Sequence, residues 1–142
     1  MTQIEFHHDA ADKLGEACRL VALQHVQRRR VAVFVPDPVL ARRFDHLLWS
    51  QLALSFVPHV STAHPLAART PVVIAHDLAE VEHDEVVLNL STTPPEGFQR
   101  FAALIEVVGR DDADREPARE RFRFYRDRGY DIRTCTAGGE HP

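Results

Sequence analysis

The 142-residue sequence contains no apolar run long enough to cross a membrane, and its first residues, MTQIEFHH, lack the basic and apolar segments of a secretory signal. Its longest apolar stretches, RVAVFV and PVVIA, have the length of strands, whereas a membrane-spanning helix needs roughly 20 residues. Cysteine is also scarce, and Cys18 and Cys135 form no CxxC pair. These absences predict a cytoplasmic protein with reduced thiols and no membrane contact.

The short motifs of common enzymes are missing as well. There is no GxGxxG or GxxxxGKS loop for a nucleotide, no HExxH for zinc and no GxSxG for a nucleophilic serine. The first two predicted strands lead into HHDAAD and PDP, which are not rich in glycine. We therefore expect no catalytic residue, no cofactor and no metal, and we expect the nine histidines to be solvated surface residues.

What the sequence does contain is an alternation of strand-like and helix-like segments. Continuous apolar runs such as VAVFV (31–35), PVVIA (71–75) and VVLNLS (86–91) are typical of strands buried on both faces. Between them, segments 10–30, 39–50 and 111–129 carry apolar residues at helical spacing. The pattern predicts a three-layer α/β fold with a mainly parallel sheet, in one domain that spans residues 1–142.

The last predicted helix is unusually rich in arginine and aromatic residues. At about 100° per residue, one stripe of this helix contains four residues that could form a binding surface: Arg115, Arg119, Phe122 and Arg126. Phe124 and Tyr125 lie on the other side and are predicted to contact the core. Sixteen of the 17 basic residues are arginine, yet the formal net charge is -4, which argues against a general nucleic-acid binder.

Three interpretations of this stripe remain open. It is a solvated face with internal salt bridges, a shallow site for an acidic and hydrophobic peptide or a terminal carboxylate, or a surface for single-stranded nucleic acid. Acidic residues interrupt the arginines, which argues against a continuous phosphate track. They are Asp114, Glu116, Glu120 and Asp127.

Three ordered motifs resemble a known family. They are FDHLLW (44–49) followed by SFVPH (55–59), VVLNLS (86–91) followed by PPEGFQRF and IEVV, and ARERFRFYRDRGYDI (118–132). Together they resemble the chi subunit of bacterial DNA polymerase III holoenzyme, over essentially the whole chain. The resemblance implies a Rossmann-like fold without nucleotide chemistry.

The resemblance also implies partners. Members of the family bind the C-terminal tail of single-stranded DNA-binding protein and the psi subunit, which tethers them to the clamp loader. On this basis Arg119 would grip the tail's carboxylates, Arg115 would add positive charge and Phe122 would form a wall for its aromatic end, with Arg126 on the same stripe. The surface facing psi would contain Trp49, Phe56, Val57 and His59, with Phe56 the favoured contact; a core position for Trp49 and Phe56 is the alternative.

The sequence thus predicts a non-catalytic adaptor that reaches DNA mainly indirectly. An uncharacterised α/β enzyme and a module that binds single-stranded DNA directly are the alternatives. Where an organism has no psi subunit, the second surface would serve another partner, such as a repair helicase.

Overall fold

A single parallel sheet of seven strands organises the computed structural model, which describes residues 1–51, 59–62 and 70–137. The strand order is β3-β4-β2-β5-β6-β1-β7. The elements in chain order are β1 Gln3–Ala10, α1 Lys13–Val26, β2 Val31–Phe34, α2 Pro38–Gln51, β3 His59–Ser61, β4 Val72–Ala75, β5 Val86–Asn89, β6 Ala103–Gly109, α3 Asp112–Asp127 and β7 Ile132–Thr136.

Each face of the sheet carries its own hydrophobic core. Strand residues alternate between the faces, so Ile105 and Val107 of β6 pack with α1 and α2, whereas Leu104 and Val108 pack with α3. Val31, Leu88 and Leu104 are fully buried. This arrangement confirms the predicted three-layer α/β fold with a parallel sheet.

Helix α1 is shorter than the sequence predicts. It begins where the Asp12 side chain accepts a hydrogen bond from the Gly15 amide at 3.1 Å. It ends at Val26, because Arg28 adopts a left-handed backbone with φ 60° and turns the chain toward β2. The apolar spacing of this segment predicts Val26 on the buried stripe, but Val26 is the last residue of the helix and is 77% exposed.

Three further boundaries differ from the sequence pattern. Strand β3 was not predicted, because its three residues, HVS, form a short partly polar edge strand in a region that reads as a break and a loop. The sequence after PPEG predicts a short helix, whereas the structure has a single 3-10 turn at Phe98–Arg100. The segment YDIRT predicts a strand that begins at Tyr130, whereas strand β7 starts at Ile132. Among the described residues, no helix has the length and apolar composition that a bilayer crossing requires.

The amino ends of β5 and β6 pack against a buried histidine. His83 is 6% exposed, and its Nδ1 accepts a hydrogen bond from the Glu85 amide at 3.1 Å. Its ring meets the edge of Phe101 with centroids 5.8 Å apart. Burial, followed by the positive charge of Arg30, lowers the pKa of His83 to about 4.

This depressed pKa predicts a loss of stability in mild acid. The unfolded histidine, with its ordinary pKa of 6.5, takes up a proton before the folded one does. The free energy of unfolding should therefore fall as the pH drops from about 6.5 toward 4, by up to roughly 3 kcal/mol from this residue. Urea denaturation at several pH values measures the effect.

The matched variants are His83→Asn and His46→Asn. Asparagine can still accept from the Glu85 amide but does not titrate, so His83→Asn should flatten this part of the profile. His46 is exposed, and its replacement should change little. An unchanged pH profile in His83→Asn would show that another group is responsible.

Candidate partner-binding surfaces

A buried carboxylate anchors α3 to the sheet. Glu106 lies on β6, fully shielded from solvent, and accepts a hydrogen bond from Arg121 Nε at 2.9 Å. It also accepts from the hydroxyl of Tyr125 at 2.6 Å and from Asn89 Nδ2 at 3.0 Å. Arg121 and Tyr125 both lie on α3, so this carboxylate fixes the rotation of the helix about its axis.

The protonation behaviour follows from this environment. Burial raises the pKa of Glu106, and the charge of Arg121 with the donated hydrogen bonds works in the opposite direction. Burial and the neighbouring Glu106 carboxylate raise the pKa of Tyr125, so its hydroxyl remains a donor. All three partners of the carboxylate are donors, an arrangement that matches its ionised form.

The arginines of α3 and of its C-cap, Arg128, fall into two groups. Arg121 is buried, Arg123 pairs with Glu120 at 2.5 Å, Arg126 pairs with Asp127 at 3.3 Å, and the Arg128 guanidinium stacks over Phe124 with its carbon 3.5 Å from the ring centroid. In contrast, the exposed side chains of the two remaining arginines form no hydrogen bond or ion pair with any described residue. These two are Arg115 and Arg119.

Both unpaired arginines line one groove. It has a volume of about 390 Å³ and lies between α3 and the carboxyl ends of β1, β6 and β7. Its floor includes the ring of Phe6, which packs edge-on against Phe122 with centroids 5.4 Å apart. The lining residues are Phe6, His8, Asp9, Val108, Gly109, Arg115, Ala118, Arg119, Phe122 and Thr134.

An irregularity in β1 shapes the rim of this groove. The pairing with β6 shifts between His7 and Ala10, so two residues of β1, His8 and Asp9, lie opposite Val108. Asp9 has φ 64°, in the left-handed region, which is typical of a β-bulge. The bulge brings His8 and Asp9 to the groove, where Arg110 Nε contacts the Asp9 carboxylate at 3.1 Å.

The groove therefore combines an apolar wall with two cationic forks. Phe6 and Phe122 offer ring surface, while Arg115 and Arg119 offer donors suited to carboxylates. Its one acidic lining residue, Asp9, is already paired with Arg110. A ligand that is both anionic and apolar fits this chemistry.

The structure brings together three of the four residues predicted on this stripe. Arg115, Arg119 and Phe122 line the groove, whereas Arg126 lies a turn further along α3, beside Asp127. Tyr125 is fully buried, and Phe124 is half-buried, in agreement with their predicted contact with the core. The burial of Arg121 was not anticipated.

A second surface lies at the carboxyl ends of β2, β3 and β4. Trp49, near the end of α2, is 47% exposed, and its ring packs on His59 with centroids 4.4 Å apart. His59 is buried, with Nε2 3.2 Å from the Asp45 carboxylate. It supports Trp49 from the protein side and is scarcely accessible itself. Phe56 and Val57, predicted on the same surface, lie outside the described residues.

Comparison with known proteins decides the family. The model of the family described as DNA polymerase III chi subunit, HolC, matches residues 1–133. The chain belongs to the DNA polymerase III chi subunit family. Similar proteins named DNA polymerase III subunit chi occur in Pseudomonas aeruginosa, 29% identical over 93% of this chain and 94% of that protein, and in Escherichia coli strain K12, 28% identical over 84% and 82%. The protein of the same name from Haemophilus influenzae is 27% identical over 86% and 85%.

Membership in the chi family confirms the resemblance noted in the sequence. The family is named as a subunit of DNA polymerase III, so the chain is an accessory subunit for DNA replication and not itself catalytic. This explains why a parallel α/β sheet occurs here without a glycine-rich phosphate loop. Two grooves lie at the carboxyl edge of the sheet, one beside α3 and one beside Trp49.

The prediction that the histidines of this chi-family chain are solvated is wrong at three positions. His7 lies on β1, His59 begins β3, and His83 precedes β5, and all three are buried. Each of these histidines lies on or next to a strand, and neighbouring parts of the fold bury its side chain. Adjacent residues of a strand point to opposite faces, and His7 is buried whereas His8 is exposed.

The cluster around Glu106 in this chi-family protein predicts that two glutamates, Glu106 and Glu120, contribute unequally to the free energy of unfolding. Glu106→Gln should lower the free energy of unfolding by about 3–5 kcal/mol, because it leaves the buried Arg121 without its counter-charge. The matched variant Glu120→Gln, which breaks the exposed pair with Arg123, should cost about 0.5 kcal/mol or less. Urea denaturation measures both, and equal losses would contradict the anchoring role.

Proposed function

We propose that this protein is an adaptor that connects single-stranded DNA-binding protein to the clamp loader. The groove beside α3 takes the acidic, hydrophobic C-terminal tail of single-stranded DNA-binding protein. The surface around Trp49 takes the psi subunit. DNA is then reached through the first partner and not by direct contact.

The assignment of the tail to this groove rests on the exposed and unpaired side chains of Arg115 and Arg119. The other arginines of α3 have partners within the chain, and these two have none among the described residues. They flank the rings of Phe6 and Phe122. A protein with a net charge of -4 thereby retains a local surface that attracts an acidic peptide.

The proposed binding mode assigns a task to each residue. Arg119 donates two parallel hydrogen bonds to the terminal carboxylate of the tail, the strong form of such a contact. Arg115 pairs with an acidic side chain that precedes the terminus. The aromatic end of the tail packs against Phe122 and Phe6, which contribute apolar area without having to change place.

The assignment of psi rests on Trp49. An exposed tryptophan beside a groove is the type of residue that dominates protein–protein interfaces. The two surfaces lie near opposite ends of the sheet, and about four strand spacings separate β4 from β1. At about 4.8 Å per spacing this is roughly 20 Å, enough for both partners to bind at the same time.

The tail assignment predicts a specific loss in Arg119→Ala. Binding of the tail peptide is expected with Kd near 1 μM, about -8 kcal/mol. Removal of a charged fork should weaken it by about 10- to 100-fold, since hydrogen bonds to charged groups contribute about 1.5–3 kcal/mol. Arg119→Lys keeps the positive charge but loses the planar guanidinium. Its affinity for the peptide should therefore lie between those of the unmodified protein and Arg119→Ala. Calorimetry with the peptide measures these affinities, which should also weaken with added salt.

Arg123→Ala is the matched control on the same helix, because Arg123 is exposed but paired with Glu120. Arg123→Ala should bind the peptide as the unmodified protein does. A weaker affinity in Arg126→Ala would show that the tail extends beyond the groove. An unchanged affinity of Arg119→Ala for the tail peptide would contradict the assignment of the tail to this groove. Tighter binding of a bare single-stranded oligonucleotide than of the peptide, at physiological salt, would favour direct DNA binding instead.

The psi assignment predicts that the two surfaces can be inactivated separately. Trp49→Ala should weaken binding of the purified psi subunit by roughly 30-fold or more, as expected for an interface residue that contributes about 2 kcal/mol. It should leave the affinity for the tail peptide unchanged. Val39→Ala, at another exposed apolar position of α2, serves as the control. Loss of both activities in Trp49→Ala would instead indicate that the two sites overlap or that the fold is damaged.

A further inference from the structure

Three potential metal ligands converge at the β7 edge of the sheet. Glu5 and His7 lie two residues apart on β1, and Cys135 lies on β7 in register with His7. One ligand atom from each of the three lies within 4.8 Å of the other two. Among the described residues, this is the one group of at least three histidine, cysteine or acidic side chains that meets such a distance limit.

The pairing of two parallel strands produces this convergence. Alternate residues of a strand share a face, so Glu5 and His7 project to the same side of β1. Because His7 pairs with Cys135, the thiol is on that side too. Phe6 and Thr134, on the opposite side of the same strands, line the groove beside α3. The cluster and the groove therefore lie back to back.

We propose that Glu5, His7 and Cys135 form a binding site for a divalent transition metal ion of the zinc type. Zinc accepts imidazole nitrogen, thiolate sulfur and carboxylate oxygen, and three protein ligands leave the fourth tetrahedral position to water. Ligand atoms at roughly 2.0–2.3 Å from such an ion are roughly 3.3–3.8 Å apart. The three ligand atoms lie within 4.8 Å of one another, and His7 Nε2 is 2.5 Å from the Glu5 carboxylate, so the side chains have to move by about 1 Å to reach this spacing.

The different burial of the three side chains is compatible with reversible binding of a metal ion. The His7 side chain is fully buried, which holds its ring in place, and its Nε2 lies 2.5 Å from the Glu5 carboxylate. The Glu5 side chain is 34% exposed, and Cys135 is half-buried, so an ion can enter from the sheet edge. The thiolate and the carboxylate neutralise the two positive charges of the ion. The His76–Glu80 pair, by comparison, is exposed and joins only two ligands.

Metal binding at this site has a mechanical consequence. The ion links β7 to β1, and β7 is the last strand at its edge of the sheet. Its residue Thr134 forms part of the groove on the other face. An ion that binds only the folded arrangement of the two strands raises the stability of the fold.

The test is a titration of the untagged, reduced protein with Zn²⁺, measured by competition with a chromogenic chelator. One equivalent should bind to the unmodified protein, and Cys135→Ser and Glu5→Gln should each weaken binding by at least tenfold. Substitution with Co²⁺ should give the absorption of a tetrahedral site with a thiolate-to-metal charge-transfer band, and Cys135→Ser should abolish that band. Zn²⁺ should raise the Tm of the unmodified protein but not that of Cys135→Ser.

The matched controls are Cys18→Ala and His8→Ala. Cys18 lies on α1 and is buried in the core, and His8 is the exposed neighbour of His7 on the other face of β1. Both variants should bind Zn²⁺ as the unmodified protein does. The proposal is overturned if the unmodified protein takes up no Zn²⁺, if Cys135→Ser binds it equally well, or if the Co²⁺ spectrum contains no thiolate band.

Discussion

Glu106 is buried in the middle of the sheet, and the position of α3 depends on the hydrogen bonds donated to its carboxylate. Arg121 and Tyr125 reach it from successive turns of α3, and Asn89 reaches it from β5. A purely apolar contact would tolerate some rotation of the helix, whereas these directional bonds do not. The rotation that they fix is the one that turns Arg119 and Phe122 toward the carboxyl ends of β1, β6 and β7.

The same helix thus uses arginine for two opposite purposes. One arginine is buried and neutralised to hold the helix, several are satisfied by exposed neighbours, and Arg115 and Arg119 remain available at a groove with an aromatic wall. This local difference reconciles an acidic chain with the anionic partner that we propose for the groove. The net charge of the chain matters less than the local charges, because the electrostatic potential at the groove depends mainly on charges within about one Debye length, roughly 8–10 Å.

The features that depend on local periodicity could be predicted from the sequence. The stripe of Arg115, Arg119 and Phe122 follows from helical geometry alone, and the end of α3 follows from Gly129, which has φ 81°. The burial of Arg121 could not be predicted, because its partner Glu106 belongs to an otherwise apolar strand whose neighbours are set by the tertiary fold. The bulge at Asp9 and the pairing of His7 with Cys135 are likewise consequences of strand register between distant segments.

The proposed role of the groove beside α3 is to receive the tail of single-stranded DNA-binding protein. A titration of ¹⁵N-labelled protein with the tail peptide, followed by amide chemical shifts, tests it most directly. We expect saturable shifts for residues 6–9, 108–109, 115–122 and 134, with the Trp49 indole signal unchanged. Shifts that centre on Trp49, or that spread evenly over the surface, would contradict it.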